Sequence, residues 1–376
     1  MTTETTTNNN TVEKDREAFA DKVFQAVLGA QMVQTAYLGY TLGWYQALND
    51  AEKALTPVEL AKATDSSPRY AREWLEQQTI GRWIVCDNPS ESNPDARQFR
   101  LPPAHAGVLT DVLALDYLMP LAVIQAGWGK DMDKLVDAYK NDTGLSWEDM
   151  TNDAREQQAA QNRPFFLNGL AKILQDSMDS ATVERLQTTG GKVADIGAGY
   201  AWSSIGVAHH FPAARVDAYD VDAPSIEQAN KNIALEGLEE RVKAHCVDAS
   251  TVVQDLNTHY DLVMALECVH DMNDPISVLK TMREMAGTDG TVIVMDERVA
   301  EDFAQANKDH DPVEQVMYGF SCMCCLPDGK SRPNSVATGT VMRPSILRMY
   351  AQQAGFREIE ILPDENDFFR FYKLLK

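Results

Sequence analysis

Val193-Ala-Asp-Ile-Gly-Ala-Gly-Tyr-Ala-Trp202 is the stretch on which the reading of this 376-residue chain turns. Val193 to Ile196 reads as a short buried strand, Gly197 and Gly199 as a turn, and the residues from Trp202 as a helix that buries Ile205, Val207 and Ala208. Neither glycine has a Cβ, so the backbone can bend sharply there and come close to a ligand. Such a loop either serves a nucleotide site or merely closes a β-α unit, and the loop alone does not choose.

The flanking residues choose. A second strand, Ala214 to Tyr219, ends at Asp220, twenty-five positions after Asp195. A carboxylate there accepts hydrogen bonds from both hydroxyls of a ribose, and Asp222 is the neighbouring alternative. A third strand, Val242 to Val247, ends at Asp248-Ala249, where a side-chain acceptor and a backbone N–H suit an adenine edge. The fourth, Tyr260 to Leu266, ends at Glu267, and the fifth, Thr291 to Met295, at Asp296-Glu297-Arg298. Four consecutive strands, from the first to the fourth, end in carboxylates on the edge where open parallel sheets bind ligands. After a helix from Pro344 to Ala354, Phe356–Leu362 and Phe368–Leu375 alternate like a hairpin. The expected fold is α/β, a mostly parallel Rossmann-like sheet whose last strand is antiparallel.

Ahead of this lies a different pattern. Residues 1–12 are Thr/Asn-rich and read as a disordered tail. One or two amphipathic helices follow to about Leu48. Thr56-Pro-Val-Glu59 is a capped helix start, Asp65-Ser-Ser-Pro a turn, Arg69 to Ile80 a second helix, and Arg82–Cys86 with Gln98–Leu101 a short hairpin. Helix, turn, helix and hairpin make a winged helix, expected over 13–102. Its second helix sets Glu73 and Glu76 beside Arg69 and Arg72, unlike a phosphate-contacting surface. Residues 103–189 read as a helical linker and pocket-covering segment. Its stretch from Asp153 to Pro164 is polar on nearly every face, either a solvated helix or the rim of a site. The ligand-binding domain is expected over 190–376.

The formal net charge of −22 argues against a nucleic-acid partner. Six scattered cysteines suit reduced thiols better than a disulfide framework. No long apolar run or leader-like start occurs, so the expectation is a cytoplasmic protein with no membrane contact.

From Val193 to Leu374 the chain resembles the class I S-adenosylmethionine-dependent methyltransferase fold. From about Ala18 onward it resembles a family of bacterial and archaeal winged-helix methyltransferases. The blocks that carry this are Asn162-Arg-Pro, Val269-His-Asp-Met, Val294-Met-Asp-Glu-Arg-Val, Met317-Tyr-Gly-Phe-Ser, Cys325-Leu-Pro, Gly339-Thr-Val-Met-Arg-Pro and Asp367-Phe-Phe-Arg-Phe-Tyr. The resemblance implies S-adenosyl-L-methionine as cofactor, a small-molecule methyl acceptor, and a homodimer made by the N-terminal module, which also helps to close the pocket. It implies that Asp195, Ile196, Gly197 and Gly199 hold the methionine part, Asp220 and Val221 the ribose, Asp248 and Ala249 the adenine, and that Glu267 lies near the sulfonium. It points to Arg163, Tyr318 and Cys324 as substrate-facing. Two departures stand out: Ala201 occupies the place of a third glycine, and Met323-Cys324 replace a usual Leu-His.

Methyl transfer is an in-line displacement on an activated carbon, so the protein supplies alignment and, for a hydroxyl or ammonium acceptor, a base. His270 is the first candidate, with Asp271 and Glu297 beside it. The plainer readings are that His270 braces the helix beginning near Asp274-Pro275, and that Glu297–Arg298 or Asp296–Arg343 is an internal ion pair. Cys322, Cys324 and Cys325 lack the second cysteine pair of a zinc site, so they read as core or pocket thiols and no metal is expected. The function so read is methyl transfer to oxygen or nitrogen of a small molecule. The alternatives are a winged-helix regulator that keeps the fold as a ligand sensor and a site for another nucleotide.

Overall fold

In a computed structural model the backbone is described for residues 2–255, 259–363 and 366–376, and side chains for the same residues except 2–10 and 253–255. The chain divides into two compact units, Met1–Gly129 and Lys130–Lys376. The first contains α1 (Thr2–Thr41), α2 (Trp44–Asp50), α3 (Pro57–Ala63), α4 (Pro68–Ile80), β1 (Val85–Cys86), β2 (Phe99–Arg100), α5 (Pro103–Thr110) and α6 (Met119–Trp128). α1 is continuous from Thr2, so the boundary expected near residue 12 has no counterpart in the backbone. It ends where Gly43 adopts φ 69°, a left-handed conformation that costs glycine little.

α3 starts as its sequence dictates. The Thr56 hydroxyl accepts from the Glu59 N–H at 3.2 Å and the Glu59 carboxylate accepts from the Thr56 N–H at 2.8 Å, a reciprocal capping box. The strands of the wing pair antiparallel over only two residues each. β1 is shorter than expected because the Trp83 N–H still donates to the Gln78 carbonyl at 3.0 Å, which keeps that backbone in the turn after α4. Trp44, Tyr45, Trp74 and Leu75 pack at the centre of this unit.

The second unit opens with α7 (Met132–Asn141), α8 (Asn152–Asn168), α9 (Leu170–Ser177) and α10 (Ser180–Glu184). The segment expected as one linker is therefore divided, α5 and α6 falling in the first unit and α7 to α10 in the second. The sheet strands are β3 (Lys192–Ile196), β4 (Arg215–Asp220), β5 (Val242–Cys246), β6 (Leu262–Leu266), β7 (Thr291–Glu297), β8 (Glu358–Ile361) and β9 (Phe369–Leu375). Between them run α11 (Trp202–His210), α12 (Ala223–Leu235), α13 (Pro275–Met285), α14 (Phe303–Asp309), α15 (Pro312–Phe320), α16 (Leu326–Gly329) and α17 (Pro344–Gln353).

The seven strands lie in the order β5-β4-β3-β6-β7-β9-β8. Pairings from β5 through β7 are parallel, and β9 runs antiparallel to both β7 and β8. Both faces are covered, so β6 is apolar at every position instead of alternating. Val263 and Ala265 join the cluster of α13 and α17, while Leu262, Met264 and Leu266 join that of α9, α11 and α12. Each fully buried Val or Leu contributes about 1.5–3 kcal/mol. Strand order reverses at β3, between β4 and β6, and a crevice for ligands opens at such a reversal, beyond the strands' carboxyl ends.

Candidate functional site

The crevice begins with the glycine loop. Gly197 (φ +70°) faces the thiol of Cys268, and a Cβ there would lie 2.6 Å from that sulfur, so a side chain is excluded by both conformation and space. Gly199 (φ +51°) is the opposite case, with nothing within 4 Å of its missing Cβ. Ala201, also left-handed at φ 62°, stands in the place of a third glycine with its methyl fully buried. Asp195 does not present its carboxylate to the surface. It is 1 % exposed and accepts from Ser203 Oγ (2.6 Å) and Ser204 Oγ (2.7 Å) of α11. Burial lifts it to about 6, against the pull of those hydroxyls. Ile196 is buried beside it.

At the end of β4 two carboxylates have separate fates. Asp220 accepts from the Gly199 N–H at 2.8 Å with one oxygen and from the Asp222 N–H at 2.9 Å with the other, and burial raises its pKa. Asp222, the alternative ribose ligand by sequence, is already committed. It caps α12 through Ser225 N and Oγ, and it pairs with Arg155 at 2.9 Å with both side chains over nine-tenths buried. Val221 between them is half exposed, and Asp248 at the end of β5 is exposed, next to the buried Ala249.

The far side of the crevice is crowded with acids. Glu267 takes φ +55°, uncommon for a side chain of this size. It accepts from Gln158 Nε2 at 3.0 Å and from Asn162 Nδ2, both on α8. Burial and the charge of Glu297 raise it to about 8. His270, 2 % exposed, does not brace α13, whose cap is Asp274. Its Nδ1 lies 3.0 Å from Asp296 Oδ1 and 3.1 Å from Glu297 Oε2, and its Nε2 lies 3.4 Å from Asp271 Oδ1. Burial opposes charging this ring, yet the three carboxylates outweigh it and hold the imidazole well above its ordinary pKa. A ring so held keeps its proton more firmly than a free imidazole. Glu297 itself is lifted to about 8 by burial despite the neighbouring imidazole.

The remaining expected residues are dispersed. Arg163 on α8 stacks its guanidinium over Trp202 at 4.1 Å, beside the glycine loop. Tyr318 accepts from Arg343 Nη2 at 2.9 Å, and Arg343 also pairs with the buried Glu314 at 3.0 Å, so neither expected ion pair forms. Arg343 is taken by Glu314, while Asp296 and Glu297 are taken by His270. Cys324 is buried against Met150, sulfur to sulfur at 3.6 Å. Its neighbour Cys325 is the thiol that reaches His270 and Asp271. The two thiols lie close to one another yet meet different further partners, in a π-helical turn, Ser321–Cys325, which shifts side-chain phase along α15 and α16. From sequence Cys325 is read as one of three core or pocket thiols, and Arg155, Gln158 and Asn162 were not singled out. Only the Asn162-Arg-Pro block hinted at any of them.

Comparison with known proteins follows the same division. Residues 193–290 match the family described as "Methyltransferase domain", and residues 30–111 match "Rv2258c-like winged HTH domain". Residues 193–290 thus carry a methyltransferase domain. Its whole length superposes on the mitomycin 7-O-methyltransferase MmcR with a TM-score of 0.68 at 18 % identity, covering 97 % of this chain and 99 % of that one. Human N-acetylserotonin methyltransferase, solved with S-adenosylmethionine, superposes with a TM-score of 0.68 at 13 % identity, covering 95 % and 97 %. Over 83 residues the chain is 35 % identical to ribosomal RNA small subunit methyltransferase C of Salmonella choleraesuis (strain SC-B67). That match takes in 22 % of this chain and spans only 23 % of the relative's length.

Proposed function

We propose that the protein transfers a methyl group from S-adenosyl-L-methionine to oxygen or nitrogen of a small-molecule acceptor. The observation that carries this reading is the reversal of strand order at β3, at the carboxyl ends of the strands. There an open glycine loop and the acids ending β4, β5, β6 and β7 line one edge. The residues fit the cofactor. Gly199 leaves space free, Asp220 at the end of β4 suits ribose hydroxyls as an acceptor, exposed Val221 offers an apolar surface, and Asp248 with Ala249 suits an adenine edge. When bound, the cofactor supplies an activated methyl on a positive sulfur, and Glu267 with its acidic neighbours favours positive charge.

This chain's own residues then have two tasks. Asp195, through Ser203 and Ser204, fixes the loop against α11. Gln158 and Asn162 fix Glu267, so the acid holds one orientation. Glu297, Asp296, Asp271 and His270 act as one proton-accepting unit whose titration belongs to the group and not to a single residue. Its carboxylates take the acceptor's proton while the imidazolium steadies the remaining negative charge. Arg163 is proposed at the substrate side.

We assign the N-terminal unit to dimer formation, not to DNA. Arg69 pairs with Glu73, Arg72 with Asp95 at 3.0 Å and Arg97 with Glu76 at 2.7 Å, so the cations of α4 and the wing are neutralised within the protein. Among the described residues no helix is long and apolar enough to cross a membrane. Calorimetry with S-adenosylhomocysteine tests the central claim. Micromolar binding is expected, and its absence at high micromolar ligand overturns the reading.

A further inference from the structure

We propose that His270 Nε2, Asp271 and Cys325 form a binding site for a soft divalent cation, best matched by zinc. One donor atom from each of the three lies within 4.8 Å of the others, although the residues come from the loop after β6 and from the π turn. Imidazole, carboxylate and thiolate together are a zinc-type donor set, unlike the all-oxygen sets of magnesium or calcium.

Two features beyond the cluster point to a cation. First, His270 is already oriented as metal-binding histidines are. Its Nδ1 faces Asp296 at 3.0 Å, a carboxylate with no exposed surface, which leaves Nε2 as the outward ligand atom. Second, Asp296 Oδ2 is buried and accepts no hydrogen bond, while Asp271 Oδ1 and Glu297 Oε2 share the single His270 ring, at 3.4 and 3.1 Å. Asp296 and Glu297 are more than nine-tenths buried, and three carboxylates around one imidazole leave acidic groups in excess, a costly arrangement at such depth that a further positive charge relieves.

Three protein ligands leave one tetrahedral position for water or another ligand. Binding converts the Cys325 thiol to thiolate and frees His270 Nε2, so protons pass to the buffer as the ion enters, and the ion-bound form is distinct from the one in which His270 serves the proton-accepting unit as an imidazolium. Among the cysteines of this turn only Cys325 takes part. Cys324 is turned to Met150 and Cys322 is exposed.

The test uses the full chain stripped with a chelator and titrated with zinc or cobalt chloride, without any methyl donor or acceptor. It is therefore independent of methyl transfer. One zinc per chain is expected, with protons released. Cobalt should give the intense thiolate-to-metal charge-transfer absorption. Cys325→Ser should abolish that band and Cys324→Ser should keep it. Asp296→Asn should weaken zinc binding about 10- to 100-fold, as loss of a carboxylate behind a ligating histidine does. Absence of the band in the unmutated protein, or its survival in Cys325→Ser, overturns the proposal and leaves the cluster as an imidazolium–carboxylate network alone.

Discussion

The two sides of the crevice handle negative charge in opposite ways. On the β3–β4 side every acid is answered locally: Asp195 by two serine hydroxyls, Asp220 by two backbone N–H groups, Asp222 by Arg155 and the start of α12. On the β6–β7 side Asp271, Asp296 and Glu297 crowd around one imidazole, with Glu267 held nearby by α8, and Asp296 Oδ2 has no hydrogen-bond partner. The first arrangement is finished before any ligand arrives. The second is completed only by protons or by a cation.

The largest effect should come from breaking the finished side. Arg155→Ala leaves Asp222 charged and buried without its partner, and denaturant unfolding should show a loss of about 3–5 kcal/mol. A loss under about 1 kcal/mol would mean that Asp222 is satisfied by α12 alone. Next, Asp220→Ala removes the acceptor for both ribose hydroxyls. S-adenosylhomocysteine should bind on the order of 100-fold more weakly by calorimetry, since hydrogen bonds to a charged group contribute about 1.5–3 kcal/mol. Unchanged affinity would remove Asp220 from the site.

The unfinished side should reveal itself through pH. Glu267 and Glu297, each raised to about 8, keep protons that the unfolded chain releases near the ordinary carboxylate value. The folded state thus binds more protons between about pH 5 and 8, so its stability falls as pH rises through that window. His270, also raised, acts in the same direction as pH climbs through its folded value. The melting temperature should fall from pH 5.5 to 8.5, and Glu297→Gln should flatten the slope. A melting temperature that rises with pH would contradict the cluster. The smallest effect should be Ser203→Ala. Ser204 remains and Asp195 can take up a proton near pH 6, so the cost should be about 1 kcal/mol, read by thermal unfolding.

Much of the first side was legible in the sequence. Strand ends, glycines and acids are local signals, and β3 with its loop and Asp220 lie where periodicity puts them. The choice between Asp220 and Asp222 was not legible, because Arg155 stands 67 positions away and only the fold brings it in. For the same reason the polar stretch of α8 reads equally as a solvated face, yet Arg155, Gln157 and Asn162 on it are buried. Charge pairs misled in turn: adjacency suggested Glu297–Arg298, whereas a strand points successive side chains to opposite faces. His270 and the adjacent Asp271 were found by position, but only the fold brings Asp296 and Glu297 from the end of β7 onto the other ring nitrogen, where they help decide its proton affinity.

The π turn at Ser321–Cys325 has a consequence for how this site could change over generations. Which of two adjacent thiols meets His270 is decided by helical phase, not by the identity of either residue. A change of one residue in the length of that turn would exchange Cys325 for Cys324 at the cluster while leaving every contributing amino acid in place. Chemical character in this corner is thus encoded partly as a count, a kind of information that substitution alone neither creates nor erases.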